Sequence, residues 1–167
     1  MKQTKFYHLS FIVMLTVVFT SCINLFAQDK KISEKNVPAV VMSAFHKAYP
    51  KAVIKGTSIE TEKGKKNFEI ESLEGTKHID LLITPAGKIT EIEETIQTDQ
   101  LPSSVMNTLE TKFKGLKVEK AEKVTHGAVS NYELVIESKS GKYEVKLNET
   151  GKLLKTEKAG KEADNAD

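Results

Sequence analysis

Two acidic pairs are the first candidates for chemistry. Glu69 and Glu133 stand 64 residues apart, as do Asp80 and Glu144. Paired carboxylates can divide acid and base work in glycoside hydrolysis. Each of these residues falls at an outward position of an alternating segment, where a solvated carboxylate is ordinary, so their matched spacing reflects a repeat before it reflects catalysis. The four histidines, His8, His46, His78 and His126, are scattered and give no zinc-ligand spacing. No nucleophile-elbow sequence surrounds a serine. Thr84-Pro85-Ala86-Gly87 is a turn signature without the lysine–serine ending of a phosphate loop. Met42 and Met106 lie beside helical apolar stripes and serve as core filling. No catalytic residue, metal site or cofactor is therefore expected, and the chain reads as a protein that is not an enzyme.

The elements that would position these groups follow from periodicity. Val37, Val41, Phe45 and Tyr49 recur at helical spacing, with Pro38 tolerated in the first turn and Pro50 as a stop. Leu101, Val105, Leu109 and Phe113 repeat the stripe, and Gly115 ends it. Strands follow each helix. The first, roughly residues 52–62, has a poor period. In the next, Phe68, Ile70 and Ser72 alternate with Glu69 and Glu71; its counterpart alternates Tyr132, Leu134 and Ile136 with Glu133, Val135 and Glu137. Ile79, Leu81 and Ile83 share one face of a third strand, as do Tyr143, Val145 and Leu147 of its match, and a fourth strand begins after Gly87 or Gly151. Such alternation belongs to antiparallel strands with one wet face.

These correspondences hold at a constant offset of 64 residues without a gap, from Val37-Pro38 against Leu101-Pro102 to Gly87-Lys88 against Gly151-Lys152. The expected fold class is α+β: a tandem repeat of one helix followed by a four-stranded antiparallel sheet, with the helices packed on one sheet face. The boundaries are a lead at 28–36, a first repeat at 37–96, a join at 97–100, a second repeat at 101–157 and a disordered tail at 158–167.

Residues 1–27 read as a secretory signal peptide. Lys2 and Lys5 precede an apolar run, and Leu25-Phe26-Ala27 gives way to Gln28-Asp29, which places cleavage after Ala27. The alternative is a lipoprotein signal ending in Thr20-Ser21-Cys22, with a lipid anchor on Cys22; Phe19 fits that signal poorly, so it is not favoured. No transmembrane span is expected in the mature chain. The location is periplasmic or secreted, with an outer-membrane lipoprotein as the minor alternative. All 25 basic side chains are lysines, there is no arginine, and the 23 acidic side chains are interleaved with them. Bidentate base and phosphate recognition favours arginine, so no nucleic-acid partner is expected.

One helix per unit leaves the opposite sheet face without internal cover. That face should present Glu69, Glu71, Asp80 and Leu82 from the first unit, and Glu133, Val135, Glu137, Glu144 and Lys146 from the second. Charged groups around Leu82 and Val135 resemble the mixed composition of a protein-binding surface. These nine residues are the candidate site for an extracytoplasmic protein partner. The rival sites are the loops at Gly64 and Gly127.

The two cycles also resemble the PepSY-like family of secreted bacterial proteins, which is compared with β-lactamase inhibitor proteins. The resemblance rests on Val37-Pro38, Val41, Phe45, Tyr49-Pro50, Phe68-Glu69-Ile70 and Pro85-Ala86-Gly87-Lys88. The second cycle supplies Leu101-Pro102, Val105, Leu109, Phe113, Tyr132-Glu133-Leu134, Tyr143-Glu144-Val145 and Thr150-Gly151-Lys152. It spans roughly residues 36–157, and Leu25-Phe26-Ala27-Gln28 is similar to export signals of Bacteroidota. It implies an extracytoplasmic helix-plus-sheet fold and a protein-binding role, as an inhibitor or regulator of a peptidase or another extracytoplasmic protein. The sequence departs from the family in having no Trp, where members often carry one near Ser58-Ile59; a large aromatic anchor is often central to a tight interface. The competing roles are a structural or envelope-stress protein and a protein that sequesters a small ligand or cation.

Overall fold

The structure, a computed structural model, describes residues 30–62 and 64–159. The signal peptide, its cleavage point after Ala27 and the alternative anchor at Cys22 lie outside the described residues, as does the tail beyond 159.

Every strand hydrogen-bonds to the next in the chain. β1 (Lys30–Lys31), β2 (Val53–Glu62), β3 (Lys65–Glu74), β4 (Lys77–Ile83) and β5 (Ile89–Thr95) are followed by β6 (Lys117–His126), β7 (Val129–Ser138), β8 (Gly141–Asn148) and β9 (Leu153–Lys158). They form one nine-stranded antiparallel sheet in the order β1 to β9. This corrects the expected tandem repeat of a helix and a four-stranded sheet. The molecule is mostly a single sheet, with two short helices, α1 (Ala39–Ala48) and α2 (Ser103–Lys112). The physical reason lies at the centre. Ile92, Glu93, Glu94 and Thr95 of β5 pair with Thr125, Val124, Lys123 and Glu122 of β6, which satisfies backbone groups that two separate sheets would leave as open edges. The expected join contains a short 3-10 turn at Thr98–Gln100, and Ile96 still donates to the Ala121 carbonyl at 2.9 Å.

The core sits between the helices and one face of the sheet. Val41 and Phe45 of α1 are fully buried against Phe68, Ile70, Ile79, Leu81 and Ile83. Val105 and Leu109 of α2 are buried in the same way against Leu134, Ile136, Val145 and Leu147. In both helices these apolar residues are four apart, so they project from one side of the helix. Ser72 is the buried polar exception, and its hydroxyl donates to the Ile79 carbonyl at 2.7 Å.

Two loops press the sheet against the helices. In the loop between β8 and β9, the Asn148 side-chain oxygen accepts from the backbone N–H groups of Thr150 and Lys152. Ser104 at the start of α2 donates to the Glu149 carbonyl at 2.7 Å. Gly151 has φ +78°, and a Cβ there would stand 2.2 Å from the Ser104 carbonyl oxygen. Gly127 also has positive φ, +61°, but faces open space. Gly127→Ala should therefore cost only the left-handed backbone penalty of about 1–2 kcal/mol, whereas Gly151→Ala should cost at least about 1 kcal/mol more, because it must also displace a helix carbonyl. Urea unfolding of both variants checks this, and equal losses would mean that the loop does not bear on α2.

Candidate functional site

The candidate residues occupy the face of the sheet opposite the helices. Strand pairing arranges them in rows. In one row Ser58, Glu69, Leu82 and Glu91 stand opposite one another across β2 to β5. In the next, Gly56, Glu71, Asp80, Glu93 and Val124 do so across β2 to β6. On the second half of the sheet, Glu122, Glu133, Lys146 and Lys155 form one row, and Lys120, Val135, Glu144 and Glu157 another. Glu137 pairs with Lys142 towards the end of β7 and is exposed.

Leu82 and Val135 do not share one centre. β5 and β6 lie between their strands, which separates them by three strand spacings, about 14 Å. Each lines its own hollow. One, about 160 Å³, is lined by Leu82 with Glu60, Glu69, Asp80, Glu91 and Glu93. The other, about 260 Å³, is lined by Val135 with Lys120, Glu122, Glu133 and Glu144. Sequence analysis missed Glu91 and Glu93 of β5 and Glu122 of β6. Their signal was weak, because the pairing of β4 with β5 shifts register between Leu82 and Ile83, and that of β6 with β7 between Val118 and Lys120. Each shift breaks the simple alternation.

The electrostatics of the two halves differ. On the second half Lys146 donates to Glu133 at 2.6 Å, Lys120 meets Glu122 at 2.8 Å and Lys155 meets Glu157 at 3.0 Å. On the first half the Ser58 hydroxyl donates to Glu69 at 2.6 Å, and His126 approaches Glu91 at 3.0 Å. Burial pushes the Asp80 carboxyl up to about 6, helped by the negative charges of Glu69, Glu71 and Glu93. Burial likewise raises Glu93 to about 7, with a hydrogen bond and negative charge from Glu91 adding to it. Glu91 is raised by its own burial, while its hydrogen bond with Glu93 opposes the rise. A carboxyl-to-carboxyl hydrogen bond needs one proton between the pair, so the two act as a unit.

The helix face behaves differently. Tyr49 donates to Glu94 at 3.1 Å, Lys77 also pairs with Glu94, and burial raises the Tyr49 phenol well above its ordinary range. These contacts brace α1 against β4 and β5. Of the histidines, His46 lies on α1 edge-on to Phe45, and His78 is exposed on β4. Among the described residues no group of three or more His, Cys, Asp or Glu side chains could hold a metal ion, and no helix is long and apolar enough to cross a membrane.

A family model described as beta-lactamase-inhibitor-like and PepSY-like matches the chain twice, over residues 5–91 and 86–160. Solved structures share the fold at low identity. One from Bacteroides eggerthii, described as a putative periplasmic protein, has 17% identity and TM-score 0.60, covering 72% of this chain and 88% of that one. A BLIP-like protein from Bacteroides fragilis has 16% identity and TM-score 0.57, covering 77% and 91%. A DUF2874 family protein from Bacteroides uniformis has 18% identity and TM-score 0.58, covering 72% and 88%. No curated protein matches the chain.

Proposed function

The chain belongs to the PepSY-like, beta-lactamase-inhibitor-like family, and on that premise we propose that it is a non-catalytic module that docks another extracytoplasmic protein on its uncovered sheet face. It works in the periplasm or cell envelope. The observation that carries the proposal is the pair of hollows around Leu82 and Val135, framed by carboxylates on the face opposite both helices. Side chains standing on a paired sheet are already ordered, so docking there loses little conformational entropy. Carboxylates at the rim favour a basic partner surface and speed the encounter more than they deepen affinity. The inhibitor-like description of the family fits such a role, in which the bound protein is held or regulated rather than chemically changed. The missing tryptophan argues that the partner is not gripped by a large aromatic anchor on β2.

Immobilised protein exposed to periplasmic extract tests this, with quantitative mass spectrometry of what it retains. A single basic protein, retained saturably and released as salt rises, is the expected result. Retention of nothing but copies of the same chain or cell-wall material would favour a structural role instead.

A further inference from the structure

The two halves of the uncovered face carry different charge at positions 64 residues apart. Lys120, Lys146 and Lys155 each neutralise a carboxylate on the second half. The corresponding positions on the first half are Gly56, Leu82 and Glu91. The register then sets Glu71, Asp80 and Glu93 directly opposite one another on three adjacent strands, with no cation in their row. Like charges directly opposite destabilise a sheet, and the row ends on Val124, which is 1% exposed. That apolar neighbour withholds water from Glu93 on the β6 side. Little space separates the strands at the other end, since a Cβ on Gly56 would meet the Glu71 carboxylate at 2.8 Å.

Resting on the docking face proposed above, we infer that the Glu71–Asp80–Glu93 row, with Glu91 beside it, is the part that grips a lysine- or arginine-rich segment of the partner, and that protons on the row set the strength of the grip. The row is half-buried, crowded with like charge and linked by the Glu91–Glu93 hydrogen bond. A proton relieves that crowding when no partner is bound, and a partner cation relieves it instead when one is. Cation docking therefore releases protons.

The charged groups facing the row come from every neighbouring strand. β2 brings Glu60, β3 brings Glu69, β6 brings Glu122 and His126, β7 brings Glu133 and β8 brings Lys146. Lys146 lowers Glu91 and the remaining carboxylates raise the row. The sign follows. Asp80 and Glu93, raised to about 6 and about 7 in the folded protein, hold protons that the unfolded chain has lost. Their contribution to stability is full below about pH 4 and fades as pH rises through about 6–7. Negative charge for a cationic partner grows over the same window. His126 gains charge as pH falls, which acts in the same direction on partner binding.

The test uses a decalysine peptide as the probe and the whole protein. Carbon-13 carboxyl NMR follows Asp80 and Glu93 through the titration, and peptide affinity is measured from about pH 5 to about pH 8. The expected result is midpoints near 6 and 7, with affinity rising about tenfold across that range, as two added surface charges near a cation imply. Asp80→Asn with Glu93→Gln should abolish most of that rise while the fold is retained. Ordinary carboxylate midpoints, or a pH dependence that survives the double variant within about twofold, overturns the inference. Peptide-induced shifts confined to the helix side overturn the docking face itself.

Discussion

Leu82→Lys combined with Val135→Lys is expected to leave the protein folded and to weaken the natural partner by at least about tenfold, about 1.4 kcal/mol. Both residues are half-buried in their hollows rather than in the core. A lysine at 82 would face Glu69 and Glu91 across the strands and could pair with Glu69 as Lys146 pairs with Glu133. At position 135 the opposite residues are Lys120 and Glu144, so the new ammonium again has a carboxylate within reach. The sheet should accept both changes. A basic partner should not, because each hollow is filled and the charge of its floor is reversed. Thermal melting by circular dichroism establishes the fold, and titration calorimetry against the captured partner gives the affinity. A folded double variant with unchanged affinity would move the site off the sheet.

Phe45→Ala should produce the largest loss of stability, about 3–5 kcal/mol, through lost transfer energy and the cavity left behind. Its ring is fully buried beneath α1, packed against Phe68, Ile70, Ile79 and Leu81. Val40 on the same helix is 49% exposed, and Val40→Ala should change stability by less than about 0.5 kcal/mol. Chemical denaturation of the two variants compares them directly. A loss of similar size at both positions would mean that α1 is not seated on the sheet through Phe45.

The parts of the fold that could be read from the sequence are those where periodicity is undisturbed. Phe68, Ile70 and Ser72 against Glu69 and Glu71 identify β3 and its buried face, and the four-residue stripe through Val41 and Phe45 identifies α1. β2 was harder to read for a structural reason, since its pairing with β3 slips between Ile54 and Gly56. β6 slips in the same way between Val118 and Lys120. A bulge moves every later side chain relative to a simple alternation. The single continuous sheet was illegible because alternation shows which face a strand buries and is silent on its neighbour. Pairing of Ile92 with Thr125 and of Glu93 with Val124 gives no signal in either segment alone. That pairing also completes the acidic row. Glu71 and Asp80 could be named from β3 and β4, but Glu93 joins them only through the register of β5.

Carboxyl footprinting of the protein alone and in complex tests the docking face most directly. A carbodiimide labels exposed carboxylates, and mass spectrometry reads each one. Glu71 and Glu144 are exposed on the uncovered face, whereas Glu34 and Glu110 are exposed on the lead and on α2. Partner binding is predicted to protect Glu71 and Glu144 and to leave Glu34 and Glu110 labelled as before. Protection of Glu110 or Glu34, with Glu71 and Glu144 unchanged, would contradict the assignment of this face.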